Sequence, residues 1–284
     1  MTLKTKKILA TIAINLVLLI LALIWLVPIF WMGLSSFSAR NNMNTSSFFP
    51  EQFSVHQYVN LIMNPGGTAR FPTWFMNTFK IACFACVIST VFVLMVAYAF
   101  SCCEFRGRKG IMNVAVILGM FPGVLTMVAM YFILQALGMT DSHAGLVLVY
   151  SAGAGLGYLI CKGFFDTVPA SLREAAKLDG ASEFRVFWQI VIPMSRPIIV
   201  YTVINAFLAP WMDFVMAKLM MTSKNSDLYT VAIGLYDMLD KARINEYFGQ
   251  FCAGGVLIAI PIGILFVIMQ KFYVEGITGG AVKG

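Results

Sequence analysis

Residues 8–31 read ILATIAINLVLLILALIWLVPIFW, an uncharged run long enough at 1.5 Å per residue to cross the roughly 30 Å hydrocarbon core of a bilayer. Five more runs of spanning length follow, at 74–100, 111–136, 144–163, 198–219 and 251–273. Lipid offers no partner to backbone N–H and C=O groups, so each run is expected to be helical; a barrel would show short alternating segments instead. Composition agrees. The chain is 60% hydrophobic and 12% charged, with a mean hydropathy of +0.82, whereas a soluble domain carries about 25% charged residues. Lys4, Lys6 and Lys7 before the first run imitate a secretory signal, but that run exceeds a signal's apolar stretch of roughly 7–15 residues and no A-x-A-like site follows. It is expected to be an uncleaved first span.

Lysine and arginine placement sets the orientation. With the N-terminus in the cytoplasm, the inner segments hold thirteen Lys and Arg and the outer segments six, leaving Lys80 within a span. Both termini are therefore expected in the cytoplasm. The charges lie on short loops and not along one helix face, which argues against nucleic acid despite a net charge of +7. The first external loop, about 32–73, carries Ser54 as a cap for a short amphipathic helix with Val55, Tyr58, Val59 and Ile62. Pro28, Pro122, Pro210 and Pro261 fall inside spans, where kinks are expected. Gly119 with Gly123, and Gly153 with Gly157, suit close helix packing. Cys83-Phe-Ala-Cys86 has metal or redox spacing but lies mid-run without a second pair, and reads as small apolar filler. His56 and His143, the only histidines, lie in external loops, and no catalytic or metal constellation is expected.

The long inner segment 164–197 contains PASLREAAKLDGASEFRVFWQIVIP at 169–193. Pro169 suits a first helical turn, with Asp166 or Thr167 near the cap; Gly180 suits the left-handed position that ends a helix; Ser182 suits the cap of a second helix running to Pro193. The expected unit is helix, glycine, helix. On the first helix Leu172, Ala175, Ala176 and Asp179 share one face, while Arg173 and Lys177 fall on others and stay solvated. A short helix with a small apolar patch suits a partner's groove; it also suits an interfacial helix on lipid, for which the patch is small.

Glu174-Ala175-Ala176, Gly180 four residues after Ala176, nine residues, then Ile190 and Ile192-Pro193 resemble the EAA loop of ABC importer permeases, with Ile192 in place of the usual leucine. The likeness extends over nearly the whole chain to the second permease subunit of maltose-type and galacto-oligosaccharide-type importers. The six spans, the basic turn Arg106-Gly-Arg-Lys109, the segment Leu137-Gly-Met-Thr-Asp-Ser142 and the tail Tyr273–Gly284 carry it.

The resemblance implies an all-α membrane protein with a type I importer permease fold of six spans, in the inner or plasma membrane of a prokaryote. Residues 1–73 would form the first span and external loop, and 74–284 a five-helix core with coupling loop 164–197 and tail 274–284. It implies a second permease as heterodimer partner, two cytoplasmic ATP-binding subunits and an extracytoplasmic sugar-binding protein facing loop 220–250. Leu172, Glu174, Ala175, Ala176, Asp179, Gly180, Ala181, Ile190 and Pro193 would dock an ATPase subunit, and Gly276, Thr278, Gly280 and Gly284 would reach toward the same subunits. The cargo would be an oligosaccharide, maltodextrin first and galacto-oligosaccharide next. Another sugar or polyol is the alternative.

No G-x-x-x-x-G-K-[ST] occurs, so ATP and Mg are expected in the partner subunit, with no cofactor on this chain. Asn205 and Asp213, polar residues inside the fifth run, are candidates for the sugar path or for structural hydrogen bonds. Tyr229, Tyr236, Tyr247 and Phe248 in the last external loop suit sugar stacking or loop packing. A secondary transporter would favour an internal repeat and paired midplane charges, and neither is seen.

Overall fold

A computed structural model of the chain describes residues 3–41, 48–63, 70–152, 157–223 and 225–281. Gly153, Lys224 and Gly284, singled out in the sequence, lie outside the described residues. Helices α1 (Leu3–Ser36), α2 (His56–Met63) and α3 (Phe71–Cys102) open the chain. Then come α4 (Arg108–Gly119), α5 (Gly123–Ala136), α6 (His143–Ala152), α7 (Gly157–Phe165) and α8 (Ala170–Leu178). Helix α9 (Glu183–Val186) passes through a π turn at Phe187–Val191 into α10 (Ile192–Met194). The rest are α11 (Arg196–Met212), α12 (Val215–Met220), α13 (Val231–Met238) and α14 (Ile244–Ala281).

Among the described residues, three stretches are long and apolar enough to cross a membrane: Lys7–Ser36, Phe71–Cys102 and Ile244–Gln270. The total rises to six if each of three bent helix pairs is one span. The third run, read from sequence as one stretch, is two helices bent by 102° between Gly119 and Gly123. Pro122 is the cause: it lacks an N–H, disfavours helical backbone at Phe121, and itself takes φ −56° and ψ 126° as it caps α5. The fifth run stops at Met212, where Asp213 turns extended (ψ 115°), and resumes at Val215. A bend of 87° at Ser195 separates Glu183–Met194 from α11.

The chain forms two compact units. The first comprises Met1–Phe71 and Leu235–Ala259. In it, the large apolar side chains of α1 from Ile8 to Phe30 are exposed, a surface that suits lipid or an apolar neighbour. Helix α2 exists as the pattern predicts, and Ser54 Oγ accepts the His56 N–H at 3.1 Å. Its buried residues are Gln57 and Leu61, however, while Val55, Val59 and Ile62 are exposed. Gln57 turns inward because its Nε2 donates to Ser38 O at 3.1 Å and its amide occupies the space beside Gly249 where a Cβ would stand.

The second unit comprises Pro72–Gly234 and Ile260–Gly284, and apolar clusters among its described residues position the site. One gathers Ile81, Leu134, Leu146, Met216, Met220 and Ile233. The Leu137–Ser142 turn serves it. Gly138 and Asp141 take positive φ (66° and 52°), and Asp141 donates its N–H to Met220 O at 2.9 Å. The Asp141 carboxylate accepts from Thr222 Oγ1 at 2.6 Å and from the Ser223 N–H at 2.8 Å, which pins α12 to this turn. Another cluster gathers Val93, Ala97, Tyr98, Tyr158, Cys161, Phe165, Val186, Phe187 and Val191, and carries the candidate site.

Candidate functional site

Residues 169–194 fold as helix, glycine, helix. Gly180 takes φ +80°, its N–H donates to Lys177 O at 3.0 Å, and the Ala181 N–H donates to Ala176 O at 2.9 Å. This paired return of amides to the last carbonyls is a Schellman stop, and glycine adopts its left-handed residue without a Cβ penalty. Ser182 Oγ accepts the Arg185 N–H at 3.3 Å and caps α9. The π turn at Phe187–Val191 precedes Pro193, which has no N–H to continue a regular ladder. At the start of α8 the structure departs from expectation. Pro169 occupies the cap with no side-chain bond. Asp166 is engaged by Lys162 and Ser101, and Thr167 Oγ1 donates to Phe164 O at 2.7 Å.

The hairpin is held from beneath. Val186 and Val191 are fully buried, Phe187 nearly so, and Phe187 meets the Tyr98 ring edge to face at 5.0 Å. Ala176, Ala181 and Ile190 pack partly against this cluster. The small-residue face therefore divides: Ala176 turns inward, while Leu172, Ala175 and Asp179 remain exposed. Arg173, expected to be solvated, is half-buried with its Nε enclosed, and Lys177 pairs with Glu183. Glu174 and Pro193 are exposed. The outward surface is dominated by two residues the sequence pattern did not single out, Leu178 at 90% exposed and Phe184 at 72%, beside the expected Leu172 at 45%. A leucine just before a helix-ending glycine, with a phenylalanine in the next helix, was the available signal. The result is an apolar knob on a rigid base.

Two carboxylates flank α8. Glu183 accepts from Tyr98 Oη at 2.7 Å and pairs with Lys177. The bonds from Lys177 and Tyr98 hold its carboxyl below the usual range against the opposing effect of burial, and Glu183 in turn raises Lys177. Asp166 accepts from Ser101 Oγ at 2.7 Å and from Lys162 Nζ at 2.6 Å. Burial pushes its carboxyl up, but the bonds from Lys162 and Ser101 and the charges of Lys162 and Arg108 outweigh this and hold it low.

A second feature is a hollow of about 790 Å³ lined by Phe121, Met127, Met130, Tyr150, Ala209 and Asp213, among others. Asp213 is half-buried; its Oδ2 accepts from Tyr150 Oη at 2.8 Å and its Oδ1 accepts the Met216 N–H at 3.1 Å, capping α12. Asn205 is exposed and donates to Tyr201 O at 2.8 Å. Asn205, Ala209 and Asp213 follow each other at four-residue steps along one face of α11 and its end.

Of the loop aromatics, Tyr229 lies under Lys218, whose Nζ is 5.1 Å from the ring centroid, and Phe248 is buried against Trp31. Tyr236 is 56% exposed. In the tail, Gly276, Thr278 and Gly280 continue α14.

The family model for a binding-protein-dependent transport system inner membrane component matches residues 104–279. The galactooligosaccharides transport system permease protein GanQ of Bacillus subtilis (strain 168) is 33% identical over 270 residues, covering 95% of this chain and 94% of that protein. The maltodextrin transport system permease protein MalD of Streptococcus pneumoniae (strain ATCC BAA-255 / R6) is 36% identical over 75% of this chain and 76% of its own length. The maltose/maltodextrin transport system permease protein MalG of Escherichia coli (strain K12) is 33% identical, with 86% of each chain covered. A chain of a bacterial ABC transporter involved in the import of the acidic polysaccharide alginate has the same fold, with a TM-score of 0.78 at 21% identity, covering 96% of this chain and 99% of that chain.

Proposed function

This chain belongs to the family of binding-protein-dependent transport system inner membrane components, and from that premise we propose that it is one of two permease subunits of an ATP-driven oligosaccharide importer. The observation that carries the reading is the knob of Leu172, Leu178 and Phe184, exposed apolar side chains on a hairpin whose other face is locked into the core. A separate ATP-binding subunit grips this knob, and ATP with Mg is bound there and not by this chain. Closure of two such subunits displaces the hairpin and swings the spans between inward-open and outward-open arrangements.

Six spans form, with both termini in the cytoplasm, a topology supported by the lysine and arginine bias and by α4 with α5, α6 with α7, and α11 each completing one span, while Glu183–Met194 stays with the cytoplasmic hairpin. Loop 220–250 faces the sugar-binding protein, and Gly276, Thr278, Gly280 and Gly284 approach the ATP-binding subunits. The other permease completes the path.

Maltodextrin is the first candidate cargo and galacto-oligosaccharide the second, in keeping with the sugars that name the relatives. Within the path, Asp213 offers free lone pairs to sugar hydroxyls beside the Tyr150 ring, with Asn205 two turns away on the same helix face. The test is ATP-driven uptake by the complex, purified with its native partners and reconstituted with its binding protein, for maltodextrins against galacto-oligosaccharides. Asp213→Asn keeps the cap and the Tyr150 contact geometry; it is expected to lower uptake roughly tenfold, the scale of one charge-assisted hydrogen bond. Uptake of neither sugar class would overturn the substrate reading, and unchanged uptake by Asp213→Asn would remove Asp213 from the path.

A further inference from the structure

The last two turns of α3 carry two hydroxyls, Tyr98 and Ser101, three residues apart on one helix face. Each donates to a carboxylate at 2.7 Å: Tyr98 to Glu183, just beyond the docking helix α8, and Ser101 to Asp166, just before it. Each carboxylate is also held by a lysine, Glu183 by Lys177 and Asp166 by Lys162. The two assemblies have the same order, hydroxyl, carboxylate, lysine, and they straddle α8. Tyr98 is buried, meets Phe187, and approaches Glu183 O at 3.3 Å as well. Helix α8 is joined to α9 by the chain and by the Lys177–Glu183 pair; α3 lies 65 and 85 residues away in sequence from the two carboxylates, and its Tyr98 and Ser101 side chains bond it to both ends of the docking segment.

We propose that these two clamps make α3 the lever of the permease: Tyr98 and Ser101 are positioning residues that pass displacement of the docking hairpin directly into a membrane-spanning helix. This rests on the docking role given to α8 above. A hydroxyl donating to a carboxylate is short and directional, and two such bonds on one face, placed at both ends of α8, resist both sliding and rotation of the hairpin against α3. With one clamp the hairpin retains a pivot. With neither, only apolar packing such as Phe187 on the Tyr98 ring holds the hairpin to α3, part of the knob's displacement is lost before it reaches that helix, and more ATP is hydrolysed per sugar transported.

The experiment uses the transporter purified with its native partners and reconstituted with its binding protein. Tyr98→Phe/Ser101→Ala removes both hydroxyls, leaves every charge in place and keeps the ring against Phe187. Sugar transported per ATP hydrolysed is expected to fall roughly fivefold or more while the ATP-hydrolysing subunit still co-purifies. Each single variant is expected to lie between, and Ser101→Thr, which restores a hydroxyl, to recover the native ratio. If the double variant assembles poorly, the singles and Ser101→Thr carry the test. A native ratio with both hydroxyls gone overturns the inference; so does loss of the ATP-hydrolysing subunit in proportion to the loss of transport, which makes the clamps mere supports. Absence of that subunit from the unsubstituted complex overturns the docking role itself, and the clamps with it.

Discussion

Replacing Gly180 with arginine is expected to abolish ATP-driven uptake while leaving the chain folded in the membrane. The backbone at Gly180 has φ +80°, so an L-residue there costs about 1–2 kcal/mol, and its Cβ would meet nothing within 4 Å in the chain itself. A folding defect is therefore modest. The new side chain instead projects from the turn next to Leu178 and Ala181, where the proposed ATP-binding subunit would close on the knob. Fully burying a leucine is worth about 1.5–3 kcal/mol, so excluding Leu178 from its groove alone weakens docking by roughly tenfold to hundredfold. Gly180→Asn separates the two effects. Asparagine tolerates the left-handed region and is short, so it should retain much of the uptake. Equal loss in both variants would assign the effect to backbone strain and not to docking.

A large loss of stability is expected from a side chain at Gly145. A Cβ there would lie 2.2 Å from Met139 O and 2.9 Å from Met220 Cε. The methionine tip can move; the carbonyl cannot. It belongs to the turn fixed by Gly138, Asp141 and the Ser142 Oγ bond to Met139 O at 2.8 Å, and Ser142 Oγ also accepts the Gly145 N–H at 3.0 Å. Gly145→Ala must push α6 off this turn and open the Leu146 cluster, at a cost of about 3 kcal/mol. The midpoint of thermal unfolding in detergent should drop by on the order of 10 °C. Gly163→Ala is the control: it sits within α7, its Cβ meets nothing within 4 Å, and the substitution should be neutral or stabilising by about 0.5–1 kcal/mol. Equal midpoints for the two variants would contradict the close approach seen at Gly145.

Local features were legible in sequence because their causes are local. Gly180, Ser182 and Pro193 each dictate backbone through their own chemistry, and the hairpin follows them. Pro122 likewise announces a break, but its 102° angle depends on what α4 and α5 pack against, which no residue nearby encodes. The outward face of α8 is legible only in part, for a related reason. Periodicity grouped Leu172 with Ala175, Ala176 and Asp179, yet the helix is rotated by its neighbours: Val186 and Phe187 draw the Ala176 and Arg173 side inward and leave Leu178 in the open. Gln57 shows the same in α2, a polar residue buried because a glycine far along the chain makes room for it. The clamps at Tyr98 and Ser101 join residues too distant in sequence for any pattern to pair. Asp213 stands between: its cap on α12 is local, while its bond to Tyr150 is not.

In the assembled transporter Leu178 is expected to be buried by a nucleotide-hydrolysing subunit. Replacing Leu178 with the photoreactive residue benzoylphenylalanine, in the transporter isolated with its native partners, tests it directly on illumination. One crosslinked product joining this chain to the ATP-hydrolysing subunit, lost when the same residue is placed at exposed Ile20 of α1, is the predicted result. Crosslinking to lipid alone from both positions would contradict the account.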